Sequence, residues 1–505
     1  MRSFWPVLTK ARLILQLVVS RCQAEYPRRK KSCGMRYPTQ TGLSEIVRLA
    51  FPIIASMASA TIASFVDTWI VAQIGTTEIA AIMPAGVTAY TLTALPLGIT
   101  QCVSTFAAQS LGRGNPEEGA AYTWQGLYLS VVVGMACFLL WPAAPLFFGA
   151  FGHEPEVVAL EVLYFRIRLW GIGLGVAIGA LNGFFYGIHR PNVPLVAMIV
   201  DNIANVVLCY MLVLGAWGAP ALGLAGAAVA FVVSFVAQLA VLLAAFLSTA
   251  CHTEFSTRKD WQFSWSRLQQ LVRIGWPLGV QQFLDILSWG VLIILMVGRF
   301  GKEQLAASNI AIQYMMISFL PGIGLGQALT ALVGRYIGEG NIETAIQRVY
   351  EGLWLAMLYM TFMGLIYFLL PGPLMAFFNA DPRVIQAGSA ILLCAAVFQL
   401  FDAMNVTFVG ALRGAGDTHG IAWITIGLLV IVFAPLSIGT VMFTDLQSVG
   451  PWLAGTANTI LLGLLLWWRF ARGKWQEINI FAGEEERQKI GGTVHEPALL
   501  KSVEP

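Results

Sequence analysis

The chain contains two half-length copies of one pattern, separated by a constant 226 residues. Gly75 opens a stretch that runs to Asn115, and Gly301 opens a second stretch that runs to Asn341. The residues that recur at this spacing are Ala80, Ala81, Ala85, Gly98, Gln101, Gly112 and Gly114, and then Ala306, Ala307, Ala311, Gly324, Gln327, Gly338 and Gly340. Such a duplication within the bilayer is typical of secondary transporters, whose substrate path lies between the two halves.

The composition excludes an ordinary soluble protein. Of the 505 residues, 57% are hydrophobic and 11% are charged, and the mean hydropathy is +0.72. Soluble domains average about 25% charged residues, so this chain lacks the polar residues to cover a water-exposed surface. The formal charge of +3 is too small to indicate a nucleic-acid partner. The bilayer is therefore the expected solvent for most of the chain.

The motifs of soluble enzymes are absent from the sequence. There is no Gly-x-x-x-x-Gly-Lys-Ser/Thr loop for ATP, no His-Glu-x-x-His and no Cys-x-x-Cys among the seven cysteines. We therefore predict that the protein is not an enzyme, has no cofactor and does not use ATP. An ion gradient is the remaining source of energy for transport.

The distribution of apolar residues predicts an all-α membrane protein with twelve transmembrane helices in two six-helix lobes related by the internal repeat. A spanning helix needs roughly 20 mostly apolar residues. The predicted spans are 46–74, 83–111, 120–148, 156–187, 193–215, 222–248, 268–298, 305–336, 346–371, 384–411, 420–443 and 450–470.

Lysine and arginine predict the orientation, because they are enriched in cytoplasmic connections. With a cytoplasmic N-terminus, the inner connections contain Arg113, Arg190, Arg258, Lys259, Arg267, Arg335, Arg413, Arg469, Arg472 and Lys474. The outer connections contain only Arg299, Lys302 and Arg383. Both termini are therefore predicted to be cytoplasmic. Arg166 and Arg168 lie inside the fourth span, where snorkelling or pairing within the bundle is favoured over a substrate role.

Five segments follow from these spans. They are a basic cytoplasmic extension (1–43), an N-terminal lobe (44–248), a cytoplasmic linker (249–267), a C-terminal lobe (268–472) and a polar cytoplasmic tail (473–505) that is expected to be disordered. The apolar run at 13–19 resembles a signal peptide but is too short to span. Translation from Met1 and translation from Met35 both remain open.

Four aspartates lie within predicted spans, where a charge is costly and marks a functional site by default. Asp67, Asp285 and Asp402 are flanked by apolar and aromatic residues, and we expect them to couple transport to an ion gradient. A low dielectric disfavours the charged carboxylate, so such a group can take up a proton. Alternatively, Asp285 and Asp402 together with carbonyl oxygens can hold Na⁺. Asp201 lies near the cytoplasmic end of its span, and a purely structural role is favoured there.

Several motifs resemble those of the multidrug and toxic compound extrusion (MATE) family across about residues 43–472. Asp67 followed by Gly75 is similar to the family's first helix, and Asn205 to its fifth helix. The other matching motifs are AQSLGRGN at 108–115, GAPALGLAGAA at 218–228, and FDA at 401–403 leading to GALRGAGDT at 410–418. The resemblance implies two six-helix lobes arranged in a V.

The resemblance also implies roles for single residues. Asp67 and Asn205 would form the site of the first lobe, and Asp285 with Asp402 would bind the coupling cation in the second lobe, as in the NorM-like branch. One departure is Cys209, because the family often has Asp or Asn four residues after its equivalent of Asn205. Coupling is therefore expected to depend more on Asp67 or on the second lobe.

The resulting expectation is a monomeric antiporter of the inner membrane that exports lipophilic, often cationic compounds in exchange for Na⁺ or H⁺ by alternating access. The first alternative is a flippase of lipid-linked precursors with a related fold. A flippase would need basic residues for phosphate, whereas the clear in-span arginines are only Arg166 and Arg168. A channel or a non-transporting sensor is a third alternative, against which the duplicated acidic design argues weakly.

Overall fold

A computed structural model describes residues 42–288 and 293–482, and all regular secondary structure in these two ranges is helical. The first half contains α1 (Gly42–Ala72), α2 (Thr76–Gln101), α3 (Val103–Gly112), α4 (Pro116–Phe138), α5 (Ala144–Gly149), α6 (Pro155–Gly187), α7 (Asn192–Leu214), α8 (Leu224–Phe246) and α9 (Thr249–Phe255). The second half contains α10 (Trp265–Asp285), α11 (Ile293–Gly298), α12 (Lys302–Gly338), α13 (Ile342–Leu369), α14 (Pro371–Phe378), α15 (Pro382–Ala415), α16 (Thr418–Leu428), α17 (Ala434–Phe443) and α18 (Val449–Ala471).

The helices agree with the predicted spans. Eleven helical segments in the described part of the chain are long and apolar enough to cross a membrane. The remaining predicted span, 268–298, corresponds to α10 and α11, which flank residues 289–292. A π-helical turn, Leu429–Phe433, joins α16 to α17 within one span. The prediction of an all-α, twelve-helix membrane protein in two lobes is therefore confirmed.

The two lobes pack against each other through their first two spans. Helix α1 of the first lobe lies against α12 of the second lobe, and α10 of the second lobe lies against α2 of the first lobe. The lower part of the second span, α3, also packs on α12. Because α2 with α3 and α12 are repeat-related, each lobe presents the same surface to the other. This reciprocity follows from the internal duplication.

Two of the glycines that revealed the repeat, Gly112 and Gly338, lie at this interface in mutual contact. Gly112 lies against the backbone of Arg335 and Gly338, and Gly338 lies against the backbone of Gln109 and Gly112. Both pairs, Gln109 with Arg335 and Gly112 with Gly338, are separated by the repeat distance of 226 residues. The contact is therefore nearly symmetric. Only a residue without a Cβ permits two helix backbones to approach so closely.

Polar groups reinforce the same interface near the start of α1. Glu45 at the start of α1 accepts a charge-assisted hydrogen bond from Arg348 Nε at 3.1 Å. The Tyr336 hydroxyl donates to the same carboxylate at 2.9 Å, and Arg335 lies 3.7 Å from its other oxygen. The Thr105 hydroxyl of α3 donates to the Arg413 carbonyl at 2.9 Å. Hydrogen bonds that involve ions are the stronger ones, so these contacts stabilise the lobes in their present arrangement.

The connection between the lobes, predicted as the linker 249–267, is folded onto the first lobe. It begins with α9, whose Cys251 and Phe255 are buried. Burial raises the pKa of the Cys251 thiol to about 12, so this cysteine stays protonated. Side chains of α4 hold the rest of the connection: the Trp124 indole N–H donates to the Thr257 carbonyl at 2.8 Å. The linker is thus attached firmly to one lobe.

The chain after α18 differs from the expectation of a disordered tail as far as residue 482. A short 3₁₀ turn, Lys474–Glu477, is followed by a segment in which Trp475, Ile480 and Phe481 are buried. The ring of Phe481 packs edge-on against Phe106 and Tyr122 of the first lobe, at centroid distances of 5.7 and 6.0 Å. The predicted tail is polar on average, so its composition did not indicate that these apolar side chains would be buried. Residues 483–505 of the predicted tail lie outside the described residues.

Phe481→Ala should lower the thermal stability of the protein, because Phe481 is 2% exposed and packs the segment after α18 against the first lobe. Truncation of a buried phenylalanine costs about 3–5 kcal/mol. The measurement is the unfolding temperature in detergent, and Glu477→Ala, at an exposed position of the same segment, is the matched control. Equal unfolding temperatures for Phe481→Ala and Glu477→Ala would contradict the stabilising role of the Phe481 packing.

Candidate functional site

A cavity of about 570 Å³ lies within the first lobe. Helices α1, α2, α6, α7 and α8 supply most of its wall, and Gln327 of α12 reaches it from the second lobe. Its lining includes Gln101, the repeat partner of Gln327, so the cavity extends to the interface between the lobes. Gln101 also accepts a hydrogen bond of 2.8 Å from Gln282 of α10. The volume is in the range of small-molecule binding sites, about 300–1,000 Å³.

Asp67 of α1 faces this cavity with several partners. With its amide nitrogen turned toward Asp67, Asn205 donates to both carboxylate oxygens, at 2.7 and 2.8 Å. The Cys209 thiol, one turn further along α7, hydrogen-bonds to the same carboxylate. The structure thus brings together Asp67 and Asn205, the pair that the sequence suggested. Their functional roles remain predictions.

Cys209 occupies the position at which the resemblance predicted an acidic or amide side chain. A thiol can donate one weak hydrogen bond, and Cys209 uses it on Asp67. It does not bring a second carboxylate to this end of the site. The residue that departs from the family pattern, Cys209, is therefore in direct contact with Asp67 of the predicted site.

A second carboxylate, that of Asp201, lies one turn before Asn205 on α7. Asp201, Asn205 and Cys209 follow one another at a spacing of four residues, and all three are buried on one face of the helix. Asp201 lines the cavity, whereas the sequence favoured a purely structural role for it. The missed signal was the four-residue spacing to Asn205, which places both side chains on one helix face.

The two arginines of α6 have different surroundings. Arg166 donates from Nε to the Trp141 carbonyl at 3.2 Å and lies over the ring of that residue, which is the pairing within the bundle that we expected. Arg168 lines the cavity instead and lies 3.4 Å from the centroid of the Phe231 ring. It interacts electrostatically with Asp67 and hydrogen-bonds to Tyr164. Arg168 is therefore part of the polar lining of the site.

The second-lobe aspartates lie on different helices, Asp285 at the end of α10 and Asp402 in the middle of α15. Asp402 is buried, hydrogen-bonds with Asn405 and interacts electrostatically with Asp285. Asp285 is more exposed and interacts also with Arg413. The two carboxylates are thus near enough to influence each other. In the described ranges no three His, Cys, Asp or Glu side chains cluster as metal ligands, so a Na⁺ site would need carbonyl, hydroxyl or amide oxygens as well.

His189 illustrates a titratable group that does not contribute to such a site. It follows α6 outside the spans and lies within 3.3 Å of the Ala331 carbonyl of the second lobe. Burial, together with the positive charge of Arg335, lowers the pKa of His189 to about 4. The imidazole is therefore neutral near pH 7 and serves as a contact between lobes.

Comparison with known proteins agrees with this architecture. The model of the MatE family matches residues 52–211 and 277–438, one match in each lobe. A protein of Thermotoga maritima named Probable multidrug resistance protein NorM is 29% identical over 387 residues, which cover 75% of this chain and 82% of the relative. A Rhizobium meliloti protein of the same name is 29% identical over 447 residues, covering 84% and 92%.

Solved structures share the fold. A MOP superfamily transporter from Pyrococcus furiosus superposes with a TM-score of 0.78 at 21% identity, covering 89% of this chain and all of that one (100%). The outward-facing conformation of a multidrug resistance MATE family transporter gives a TM-score of 0.77, also at 21% identity and with the same coverage of 89% and 100%. At such identity the likeness concerns the fold alone.

Proposed function

The chain belongs to the MatE family of multidrug and toxic compound extrusion transporters, and we propose that it exports lipophilic cations by antiport with Na⁺ or H⁺. The observation that supports this proposal most directly is the cavity of the first lobe. Among its described lining residues the charged ones are Asp67, Asp201 and Arg168, which sum to −1 when all are ionised. A site with one net negative charge favours one cation. The curated relatives named above are multidrug resistance proteins.

The rest of the lining suits an amphiphilic substrate. Tyr90, Tyr164, Tyr186, Phe231 and Phe235 contribute aromatic rings, and Met57 and Met198 contribute flexible apolar side chains. Aromatic faces attract organic cations, and methionine adapts to ligands of different shape. Such walls support a broad range of lipophilic substrates rather than one metabolite.

Carboxylates within the predicted spans of both lobes support the coupling to an ion. Binding or release of a proton or Na⁺ at Asp67, or at Asp285 with Asp402, changes the charge of a low-dielectric site. This change alters the relative stability of two conformations. An ion can shift this equilibrium only through a difference in its affinity for the two states. A tenfold difference corresponds to about 1.4 kcal/mol, which one such site can provide.

The distribution of basic residues in the described part of the cavity disfavours the alternative of a flippase. Recognition of a lipid phosphate needs several basic groups, since arginine binds phosphate through paired hydrogen bonds. Arg168 is the one basic residue among the described lining residues. It is already engaged with Tyr164 and Phe231, so the cavity favours a cationic over an anionic substrate.

Orientation and location complete the proposal. The protein is a multi-pass membrane protein, and we place it in the bacterial inner membrane with both termini in the cytoplasm. The support is the excess of lysine and arginine on one side of the predicted spans. With this orientation the contacts among Glu45, Arg335 and Arg348 lie on the cytoplasmic side.

Reconstituted vesicles test the function. Purified protein in lipid vesicles is given either an inward Na⁺ gradient or a pH gradient, with the membrane potential clamped, and the movement of ethidium is followed by fluorescence. We expect transport driven by one of the two gradients and abolished when that gradient is collapsed. Ethidium flux equal to that of protein-free vesicles under both gradients would refute the proposal.

Asp402→Asn should express at the wild-type level and lose gradient-driven efflux. The reason is that Asp402 is buried beside Asp285, and an amide there cannot exchange a proton or supply a charged ligand to Na⁺. The matched control is Asp445→Asn, because Asp445 is exposed in the loop after α17. Efflux at the wild-type rate in Asp402→Asn would rule out an essential role for this carboxylate.

A further inference from the structure

The two carboxylates of the first-lobe cavity differ in their partners. Asp67 accepts two hydrogen bonds from Asn205, interacts with the Cys209 thiol and faces the positive charge of Arg168. Its charge and its lone pairs are therefore largely satisfied within the protein. A bulky organic cation that approached Asp67 would have to displace these side chains, whereas a proton needs only one lone pair of the carboxylate.

Asp201 is the carboxylate with an open oxygen. It is 6% exposed, and its Oδ1 has no hydrogen-bond partner among the described residues. The Ser234 hydroxyl of α8 interacts with the carboxylate, and no lysine, arginine or histidine of the described chain does so. Leaving one buried oxygen of a charged group without a partner is costly. The structure thus keeps an acceptor within the cavity wall that a ligand can use.

The charge balance leads to the same residue. Arg168 interacts electrostatically with Asp67 and offsets part of its charge, while Asp201 interacts with Asp67 as a second negative charge. Asp201 has no such positive partner, so it is the less compensated of the two carboxylates in a cavity of net charge −1. A buried carboxylate that lacks a positive partner is stabilised by any cation that reaches it, because the attraction is strong where water is scarce.

The groups around Asp201 can receive an organic cation. Asn202 on the next position of α7, Gln238 and Phe235 on α8, and Met198 one turn before Asp201 all line the same cavity. Asn182 across the cavity adds a second unpartnered oxygen, its side-chain carbonyl. Polar acceptors beside an aromatic ring and a thioether form a suitable environment for a positively charged, otherwise apolar group.

We propose that Asp201 is a specificity-determining residue that binds the cationic group of the substrate, while Asp67 serves the coupling ion. The inference rests on the proposed function for the identity of the substrate class. It assigns different roles to two carboxylates of one cavity, and it gives a role to a residue outside the pair formed by Asp67 and Asn205.

Direct binding tests the proposal. The Kd of ethidium, a monocation, is measured by fluorescence anisotropy on purified protein in detergent, for wild type, Asp201→Asn and Asp445→Asn. We expect Asp201→Asn to weaken ethidium binding by about tenfold, equivalent to about 1.4 kcal/mol. The Asp445→Asn control should bind as wild type does. Binding of the neutral dye Nile red should change less than twofold in all three proteins, since it has no charge to lose.

Two results would overturn the inference. One is an unchanged Kd for ethidium in Asp201→Asn, which would mean that the carboxylate is neutral or unused. The other is an equal loss of ethidium and Nile red binding together with a lower unfolding temperature, which would mean that Asp201 is only structural. Asp201→Glu, which retains the charge, should restore part of the ethidium affinity.

The binding assay also separates this inference from the proposed function. It uses no gradient, so a selective loss of ethidium affinity supports the role of Asp201 whether or not wild-type vesicles transport the dye. Conversely, gradient-driven transport by wild type together with equal ethidium affinity of wild type and Asp201→Asn would support the function and reject the residue assignment.

Discussion

Asp67→Asn is expected to reduce gradient-driven efflux at least about tenfold and to flatten its pH profile. Asp67 accepts two hydrogen bonds from the Asn205 amide nitrogen and interacts electrostatically with Arg168. An asparagine at this position offers one acceptor oxygen in place of two and carries no charge. The protein then cannot exchange a cation at Asp67, and Arg168 loses its counter-charge. A tenfold loss corresponds to about 1.4 kcal/mol.

The measurement is ethidium efflux from vesicles between pH 6 and pH 8, with Asp260→Asn as the control. Asp260 is exposed in the connection between the lobes, so the same chemical change there should leave the rate and the pH profile unchanged. If Asp67→Asn exports the dye with the wild-type profile, coupling resides in the second lobe, at Asp285 and Asp402. The first lobe would then serve only to shape the cavity.

Gly338→Ala should disrupt the contact between the lobes at Gly112 and Gly338. A Cβ at this position would collide with the carbonyl of Gln109 and the backbone of Gly112, and neither backbone can rotate out of the way. Overpacking of a well-packed site costs about 1–3 kcal/mol. The described arrangement, with the lobes in contact at these glycines, is therefore destabilised relative to conformations in which they separate.

Two measurements follow this change, the unfolding temperature in detergent and the reactivity of a thiol buried between the lobes. Cys102 is fully buried (0% exposed), with its sulfur 3.7 Å from the Ile274 carbonyl of α10. In a background without the other cysteines, Gly338→Ala should lower the unfolding temperature and speed the labelling of Cys102 by a maleimide.

The control is Gly427→Ala, a glycine of α16 whose Cβ would meet open space. Alanine favours the helix by about 1 kcal/mol over glycine, so this variant should be as stable as wild type or more so. Equal unfolding temperatures and equal labelling rates in the two variants would show that the contact between Gly112 and Gly338 does not hold the lobes together.

The sequence alone determined the fold. Twelve apolar segments and a repeat of 226 residues predicted two lobes, because length and hydropathy decide locally whether a segment can cross a bilayer. The repeat also identified Gly112 and Gly338, which do meet at the interface. Asp67 and Asn205 were predictable as neighbours through the resemblance to a family, not through their spacing.

The tertiary structure decided which polar groups have partners. Asp67 and Asp201 are both aspartates in apolar helices. Asp67 interacts with Asn205, Cys209 and Arg168, whereas Oδ1 of Asp201 has no hydrogen-bond partner among the described residues. Likewise, Phe481 in a polar tail is buried because Phe106 and Tyr122 lie beside it. Hydropathy is a property of one segment, whereas pairing depends on side chains from several helices. Their relative positions exist only once those helices have packed.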